Sequence, residues 1–360
     1  MSEVKEAKEM KNLCVFPYHD DLLTMIRYQD MMEEYRIAVL CTYKEDLLSE
    51  RVKALPFRCT SDCADALNGA DALLMLDNER EKRTEKYNEM LQSAVRKGIP
   101  ILITEKTKAG LEQHAYKLFH LLENHFPYKQ CFAERGRARF YETAVPVISV
   151  VGLGSDCSKF EMQLLLKEHL QKQGYRVLHV SSNSLGTLFG AELYPAWLYS
   201  EELSFSEIVA NLNRWFHVMT EEKKPDIVVM GIPGGIGEFD VLKKNTSFSA
   251  VPLMVTNAIA SDASICCIYQ QPMVTEEALE EIRLLCQYKF ETDVYSFALS
   301  RYGIRYYEET ESTQFLFLNE ETILPDGEKR GHVFRMNNKE EMTNMMEELE
   351  EEMESWILRV

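Results

Sequence analysis

The sequence of 360 residues has no apolar run approaching the roughly 20 residues that a bilayer-spanning helix needs. Its first eleven residues, Met1 to Lys11, are charged and contain no apolar signal core. Basic charge is scarce: 40 Lys and Arg face 58 Asp and Glu, a net charge of −18. Such a balance argues against a nucleic-acid backbone or an anionic membrane as partner. Cysteines number nine, an odd count, and Cys14, Cys41, Cys266 and Cys267 lie inside apolar stretches, where reduced thiols act as core filler. Cys59 and Cys63 are the one pair at metal-like spacing, and no second pair or His lies close enough to complete four ligands, so no metal site is expected. The expected compartment is the cytoplasm. No fixed-period repeat is present, while 46% hydrophobic and 27% charged residues exclude wholesale disorder.

What is present reads as α/β. At typical domain sizes of ~100–200 residues the length favours two domains. In the first, strands are expected at Leu13–Phe16, Ile37–Cys41, Leu73–Leu76 and Ile99–Ile103, with helical spacing over Asp21–Glu34, Glu79–Arg96 and Leu111–Asn124. That alternation marks a parallel, Rossmann-like sheet over residues 1–128. The first strand runs into Pro17-Tyr18-His19-Asp20, without the G-x-G-x-x-G turn that cradles a dinucleotide pyrophosphate. A nicotinamide-dependent reductase therefore ranks last, and Pro17, Tyr18, His19 and Arg27 read as a surface cluster near a strand end. Residues 129–145, with Arg135, Arg137 and Arg139, read as a linker.

A second parallel-sheet domain is expected over residues 146–330. Its strands are Val147–Val151, Tyr175–Val180, Ile227–Met230, Ile265–Tyr269, Val294–Leu299 and Phe315–Leu318; its helices are Ser158–Gln173, Phe205–Thr220 and Thr275–Tyr288. Residues 331–360 form an acidic, Met-rich helix. From Lys339 onward it has eight acidic and two basic residues, and Met342, Met345, Met346, Leu349, Met353, Trp356 and Ile357 fall on one helical stripe. That stripe either packs on its own domain or is offered to a partner, such as a second copy of the chain.

The informative segment is Val147-Ile-Ser-Val-Val-Gly152-Leu-Gly154-Ser155-Asp156-Cys157-Ser158-Lys159-Phe160. A loop between a buried strand and a helix can point successive N–H groups at phosphate oxygens, with the helix N-terminus adding positive charge. The segment resembles the phosphate-binding loop of dethiobiotin-synthetase-like P-loop NTPases, with Gly152 as first glycine and Lys159 as the lysine. Lys224-Pro-Asp-Ile-Val-Val-Met-Gly-Ile-Pro-Gly234-Gly235 resembles that branch's second phosphate-proximal strand. The resemblance implies a nucleotide site at Gly152, Gly154, Ser155, Ser158, Lys159, Gly234 and Gly235, with ATP or GTP as its cofactor. Three departures stand against it. Ser158 replaces the glycine before the lysine, Phe160 replaces the Mg²⁺-ligating hydroxyl, and Met230-Gly231-Ile232-Pro233 supplies no carboxylate. Cys157 reads as an ordinary loop thiol, and His179 and His217 as structural.

In order along the chain, the Rossmann-like domain opening strand-Pro-Tyr, the degenerate Val-Val-Gly loop, Pro-Asp-Ile-Val-Val-x-Gly-Ile-Pro-Gly-Gly and Cys-x-Tyr-x-Phe (Cys286–Phe290) resemble clostridial peptide maturation system proteins. That resemblance implies an accessory protein for a ribosomally made, Cys-rich peptide, with the precursor peptide or a peptide-modifying enzyme such as a radical-SAM maturase as partner. The preferred expectation is a scaffold, possible as a homodimer, on a P-loop-like fold that has lost its Mg²⁺ and acidic positions. The alternative is an active ATP- or GTP-dependent enzyme, ligase-like or a switch, acting on a peptide or small carboxylate, with Asp156, Asp226, Glu238 and Asp240 as replacement metal ligands.

Overall fold

The computed structural model describes residues 10–19, 21–76, 84–104, 107–108, 117–127, 140–154, 157–237, 250–307, 312–317 and 333–357. The chain divides into two compact units. One comprises Met1–Asn124 and Ser184–Ala191; the other comprises His125–Asn183 and Glu192–Val360.

In the first unit six short strands are all parallel: β1 (Lys11–Phe16), β2 (Tyr35–Cys41), β3 (Arg58–Thr60), β4 (Ala72–Met75), β5 (Ile101–Ile103) and β6 (Phe119–Leu121). Their order, β3-β2-β1-β4-β5-β6, is that of a doubly wound Rossmann sheet. The strands read as continuous apolar runs because helices cover them. Tyr87, Met90, Leu91 and Ala94 of the helix Thr84–Lys97 pack on Cys14, Phe16, Leu73 and Ile101. Gly98, at φ +67°, ends that helix in a conformation that costs glycine little. The helix expected over Leu111–Asn124 is corrected in part. Residues 109–116 lie outside the described residues, and Phe119–Leu121 is an edge strand too short for periodicity to reveal.

The second unit has a seven-stranded parallel sheet ordered β15-β12-β11-β7-β10-β8-β9. Its strands are β7 (Val147–Gly152), β8 (Val177–Ser181), β9 (Glu192–Leu193), β10 (Ile227–Gly231), β11 (Ala263–Ile268), β12 (Val294–Leu299) and β15 (Val333–Arg335). The expected strand at Phe315–Leu318 does not complete this sheet. It belongs to an antiparallel hairpin of β13 (Tyr302–Tyr307) and β14 (Ser312–Phe317), inserted between β12 and β15. Alternation along the central strands sends side chains to two cores. Val147, Val151, Val228, Met230 and Cys266 meet the helices Phe205–Lys223 and Glu276–Phe290. Ile148, Val150, Val229, Ile265 and Cys267 meet the helix Lys159–Lys172 and the terminal helix Lys339–Ile357. The fold is therefore α/β, with helices on both faces of this sheet.

Local chemistry sets the helix ends. Ser204 and Glu207 form a reciprocal capping box ahead of Phe205–Lys223, and Thr275 caps Glu276–Phe290. The methionine stripe is spent on its own sheet: Met345, Met346, Leu349 and Met353 are buried in the core beside the helix Lys159–Lys172. Leu349→Ala is expected to cost about 2–5 kcal/mol, the price of a large-to-small change in a closed core, read as a lowered midpoint in urea unfolding.

Candidate functional site

β7 and β10 are hydrogen-bonded neighbours in parallel register, so the loops leaving their carboxyl ends lie side by side. In open α/β sheets ligands bind outside the carboxyl ends of the strands. Here the two loops are stitched together by backbone: Ile232 N–H donates to Val150 O at 2.9 Å, Ile236 N–H to Gly152 O at 3.0 Å, and Gly237 N–H to Leu153 O at 3.0 Å. The Leu153 N–H is taken by Cys267 O of β11 at 3.0 Å.

Lys159, the first residue of its helix, closes the arrangement. Its ammonium donates to Gly154 O at 3.3 Å and to Gly234 O, joining the β7 loop to the β10 loop. Gly234 sits at φ +76° with its residue exposed, and Gly235 beside it is buried. Gly152 makes the fold-back possible. A Cβ there would run into the Cys157 sulfur and come within 2.8 Å of the Lys159 methylenes. The Cys157 thiol donates to Gly154 O at 3.1 Å and is buried, an ordinary loop cysteine in its contacts. Thus Gly152, Gly154, Lys159 and Gly234 come together, while Ser155 and Asp156 lie outside the described residues.

Ser158 takes the left-handed conformation, φ 64° and ψ 21°, at the position where a glycine would be at ease. Its hydroxyl hydrogen-bonds Ser300 Oγ at 2.8 Å, on the turn after β12, which offsets part of the backbone cost. The next residue of that turn, Arg301, reaches Glu161 of the helix's first turn at 3.5 Å. Neither Ser300 nor Arg301 is visible in the loop motif, because each is about 140 residues away in sequence.

Phe160 is buried, packed where the loop pattern calls for a hydroxyl. At the end of β10, Gly231 carries no side chain, and the space is filled by Gln163: a Cβ on Gly231 would fall inside its carboxamide. The Gln163 amide N–H donates to Lys159 O at 3.0 Å, and its carbonyl accepts from His179 Nε2 of β8 at 3.1 Å. Burial, with the nearby Lys167 charge, holds the His179 imidazole down at about 3, so the ring is neutral. Its Nδ1 has no hydrogen-bond partner among the described residues. The sequence carries no direct sign of this chain; the three residues sit on two elements and meet only in the fold.

Asp226 is corrected as a replacement metal ligand. It precedes β10, at the end of the strand opposite the loop, and is held by the Arg176 backbone N–H at 2.7 Å and the Arg176 guanidinium at 3.0 Å. That pairing keeps its carboxyl below the ordinary carboxylate range. Glu238 and Asp240 lie outside the described residues. Among the described residues no group of three or more His, Cys, Asp or Glu is placed to hold a metal ion. His217 stacks on Tyr141 with ring centroids 4.1 Å apart. In the first unit, Tyr18 N–H donates to Thr42 Oγ1 at 3.2 Å and the Thr42 hydroxyl to Asp46 at 2.6 Å, while His19 Nδ1 accepts the Asp21 N–H at 3.2 Å.

Two outcomes follow from the buried amide chain. Gly231→Ala is expected to lose about 1–3 kcal/mol, as overpacking breaks the Gln163 bonds, with part of the loss recovered in Gly231→Ala/Gln163→Ala; urea unfolding of both variants measures it. His179 has a folded value below its ordinary one, so below about pH 6.5 the unfolded chain takes up a proton that the folded chain refuses. Its share of stability therefore falls by about 1.4 kcal/mol per pH unit from there toward pH 3, and is constant at higher pH. Unfolding of wild type and His179→Gln at pH 7.5 and pH 5 reads the difference as a steeper acid loss in wild type.

No family model matches the chain, and no curated protein does. Among solved structures, a DUF1611 family protein from Anabaena variabilis ATCC 29413 is similar at a TM-score of 0.54 and 13% identity, over 81% of this chain and 88% of that one. A nucleotide-binding protein in complex with ADP from Archaeoglobus fulgidus gives 0.31 at 14% identity, over 56% of this chain and 84% of that one. Chloroplast FtsY from Physcomitrella patens gives 0.27 at 14% identity, over 47% and 53%. The last two scores are too low to bear on the argument. The first is a likeness of fold, and it extends the α/β assignment over a stretch longer than either unit alone.

Proposed function

We propose that this chain is an accessory protein in the maturation of a ribosomally made peptide, in which a P-loop-like domain serves as scaffold for the precursor peptide or its modifying enzyme. The observation that carries the scaffold half is the Lys159 clasp. The ammonium that would reach a nucleotide's phosphates is bonded to two carbonyls of its own protein, Gly154 O and Gly234 O. Gly152 and Gly231, whose bare backbones suit close approach by a ligand, are instead filled by Cys157, Lys159 and Gln163. Phe160 at the hydroxyl position and Gly231 at the strand end give Mg²⁺ nothing to bind, and phosphoryl transfer without the ion lacks its main charge stabiliser. The peptide half rests on the resemblance of the ordered motifs to those of the clostridial peptide maturation system proteins. The precursor and a radical-SAM maturase are the partners that this likeness supports.

Calorimetric titration of ATP and GTP, with and without Mg²⁺, into wild type and Lys159→Ala tests the scaffold half. Neither nucleotide is expected to give Mg²⁺-dependent heat, and Lys159→Ala is expected to lower stability by about 1.5–3 kcal/mol through loss of charge-assisted hydrogen bonds. Binding that requires Lys159 and tightens with Mg²⁺ would instead establish the nucleotide-dependent enzyme reading. Titration of a synthetic Cys-rich peptide of the precursor class, into the same preparation, tests the peptide half; an absence of heat there removes it.

A further inference from the structure

Residues 140–145, just ahead of β7, lie against the helix Phe205–Lys223 without joining the sheet. Their burial alternates: Tyr141, Thr143 and Val145 are half-buried, while Phe140, Glu142 and Ala144 are exposed. That period of two is the mark of an extended chain with one side on a surface. Phe140 leaves 52% of its surface in solvent, and among the described residues Glu142, Thr143 and Ala144 make no backbone–backbone hydrogen bond.

Tyr141 is gripped by a side chain. Asn213, on the helix, accepts the Tyr141 N–H on Oδ1 at 2.8 Å and donates from Nδ2 to Tyr141 O at 3.0 Å. One carboxamide thus meets both the donor and the acceptor of a single residue, as a neighbouring strand would. Nδ2 also donates to Ala258 O, the last residue of the helix Ala250–Ala258, at 2.8 Å. That bond does not involve the segment, and it fixes which way the amide faces. His217, four residues after Asn213 on the same helix, stacks on the Tyr141 ring with planes 11° from parallel. All of these residues belong to the second unit.

Asparagine is a poor helix former, and Asn213 is only 6% exposed, so neither propensity nor solvation accounts for it. Without Tyr141, its Oδ1 and one N–H would be buried and unmatched, at about 1–3 kcal/mol each. The clasp therefore favours any main chain that replaces the one it holds. An extended peptide supplies that main chain whatever its sequence, and the imidazole selects an aromatic ring. Main-chain bonds for affinity and a side-chain contact for selectivity are the elements of peptide recognition.

We propose that Asn213 and His217 form a binding site for an extended peptide bearing an aromatic side chain, and that Tyr141 fills it in cis until such a peptide displaces it. The tether holds the segment at a high effective concentration, so a free peptide meets a weakened apparent affinity. The scarcity of bonds along residues 142–144 keeps displacement easy. This gives the peptide of the proposed function a seat, and rests on that reading only for the identity of the natural ligand.

The probe is a fluorescein-labelled copy of residues 140–145, Phe-Tyr-Glu-Thr-Ala-Val, titrated into the full chain and followed by anisotropy. Tyr141→Pro removes the competing N–H and ring, and is expected to bind the probe about tenfold more tightly than wild type. Adding Asn213→Ala is expected to reverse that gain, and adding His217→Ala to weaken binding about threefold. A probe N-methylated at its tyrosine lacks the donor for Asn213 and is expected to bind about tenfold more weakly. That comparison is made in wild type as well, so a variant that folds poorly leaves the result readable. Equal binding of the two probes, or equal affinity of wild type and folded Tyr141→Pro, overturns the proposal. A probe that binds as expected while the Cys-rich peptide does not supports the site and removes the maturation reading. A Cys-rich peptide that binds wild type and Asn213→Ala alike leaves that reading standing and overturns this site as its seat.

Discussion

The second unit turns on one ammonium. Lys159 leaves β7's loop as the first residue of a helix, yet its amine reaches across to the carbonyl of Gly234, 75 residues further along the chain. That reach exists because β10 pairs directly with β7 and delivers its loop alongside. It also exists because Gly152 has no side chain, which lets the lysine's methylenes and the Cys157 sulfur lie against the strand end. Carbonyls at strand ends need partners as much as any buried polar group does. In a loop evolved around a bound phosphate, the ligand organises N–H groups and lysine alike. Here, among the described residues, the Lys159 ammonium is bonded to two carbonyls of its own protein, one from each loop.

The same logic governs the end of β10. A carboxylate projecting there would share its space with Gln163, whose amide is fixed at both ends by Lys159 O and His179 Nε2. His179 is neutral in this setting, so the imidazole itself offers an ionised acid no positive charge. Unpaired charge in a low-dielectric interior is far more costly than a satisfied neutral amide. Gly231, Gln163 and His179 therefore form a set: each makes sense of the other two, and a larger side chain at position 231 would displace the Gln163 carboxamide and its two hydrogen bonds.

Much of this was legible in the sequence, and what was not has a physical reason. β7, β10 and β11 announce themselves as largely apolar runs, interrupted only by Ser149 and Ser264, bounded by glycine, proline or aspartate, because both of their faces are covered. The loop after β7 was recognisable because glycines, lysine and helix start fall within a few residues. β3, β9 and β15 were not recognisable: at two or three residues they carry no measurable period, and tertiary pairing alone makes them strands. The hairpin β13–β14 has strand-like composition, and composition does not say which sheet a strand joins. Ser300, Arg301 and Gln163 were missed for the related reason that contacts across many residues leave no local trace.

The terminal helix shows how packing overrides local preference. Glu347 and Glu351, and likewise Glu348 and Glu352, are exposed and four residues apart, a like-charge spacing that disfavours an isolated helix. The last turn of the helix carries no basic residue. Its stability comes from the other side, where Met345, Met346, Leu349 and Met353 close the core over Ile265 and Ala298. The acids even reach into that packing: burial first, and then Glu352, Glu348 and Glu351, push the Tyr295 hydroxyl up to about 12. A sequence stripe that could serve a partner or, as the favoured expectation, the chain's own sheet is thus weighed by arithmetic. Four large side chains buried at ~1.5–3 kcal/mol each outweigh two repulsive pairs at a few tenths each. A helix so charged gains its structure by staying docked, with Met345, Met346 and Met353 buried in that core.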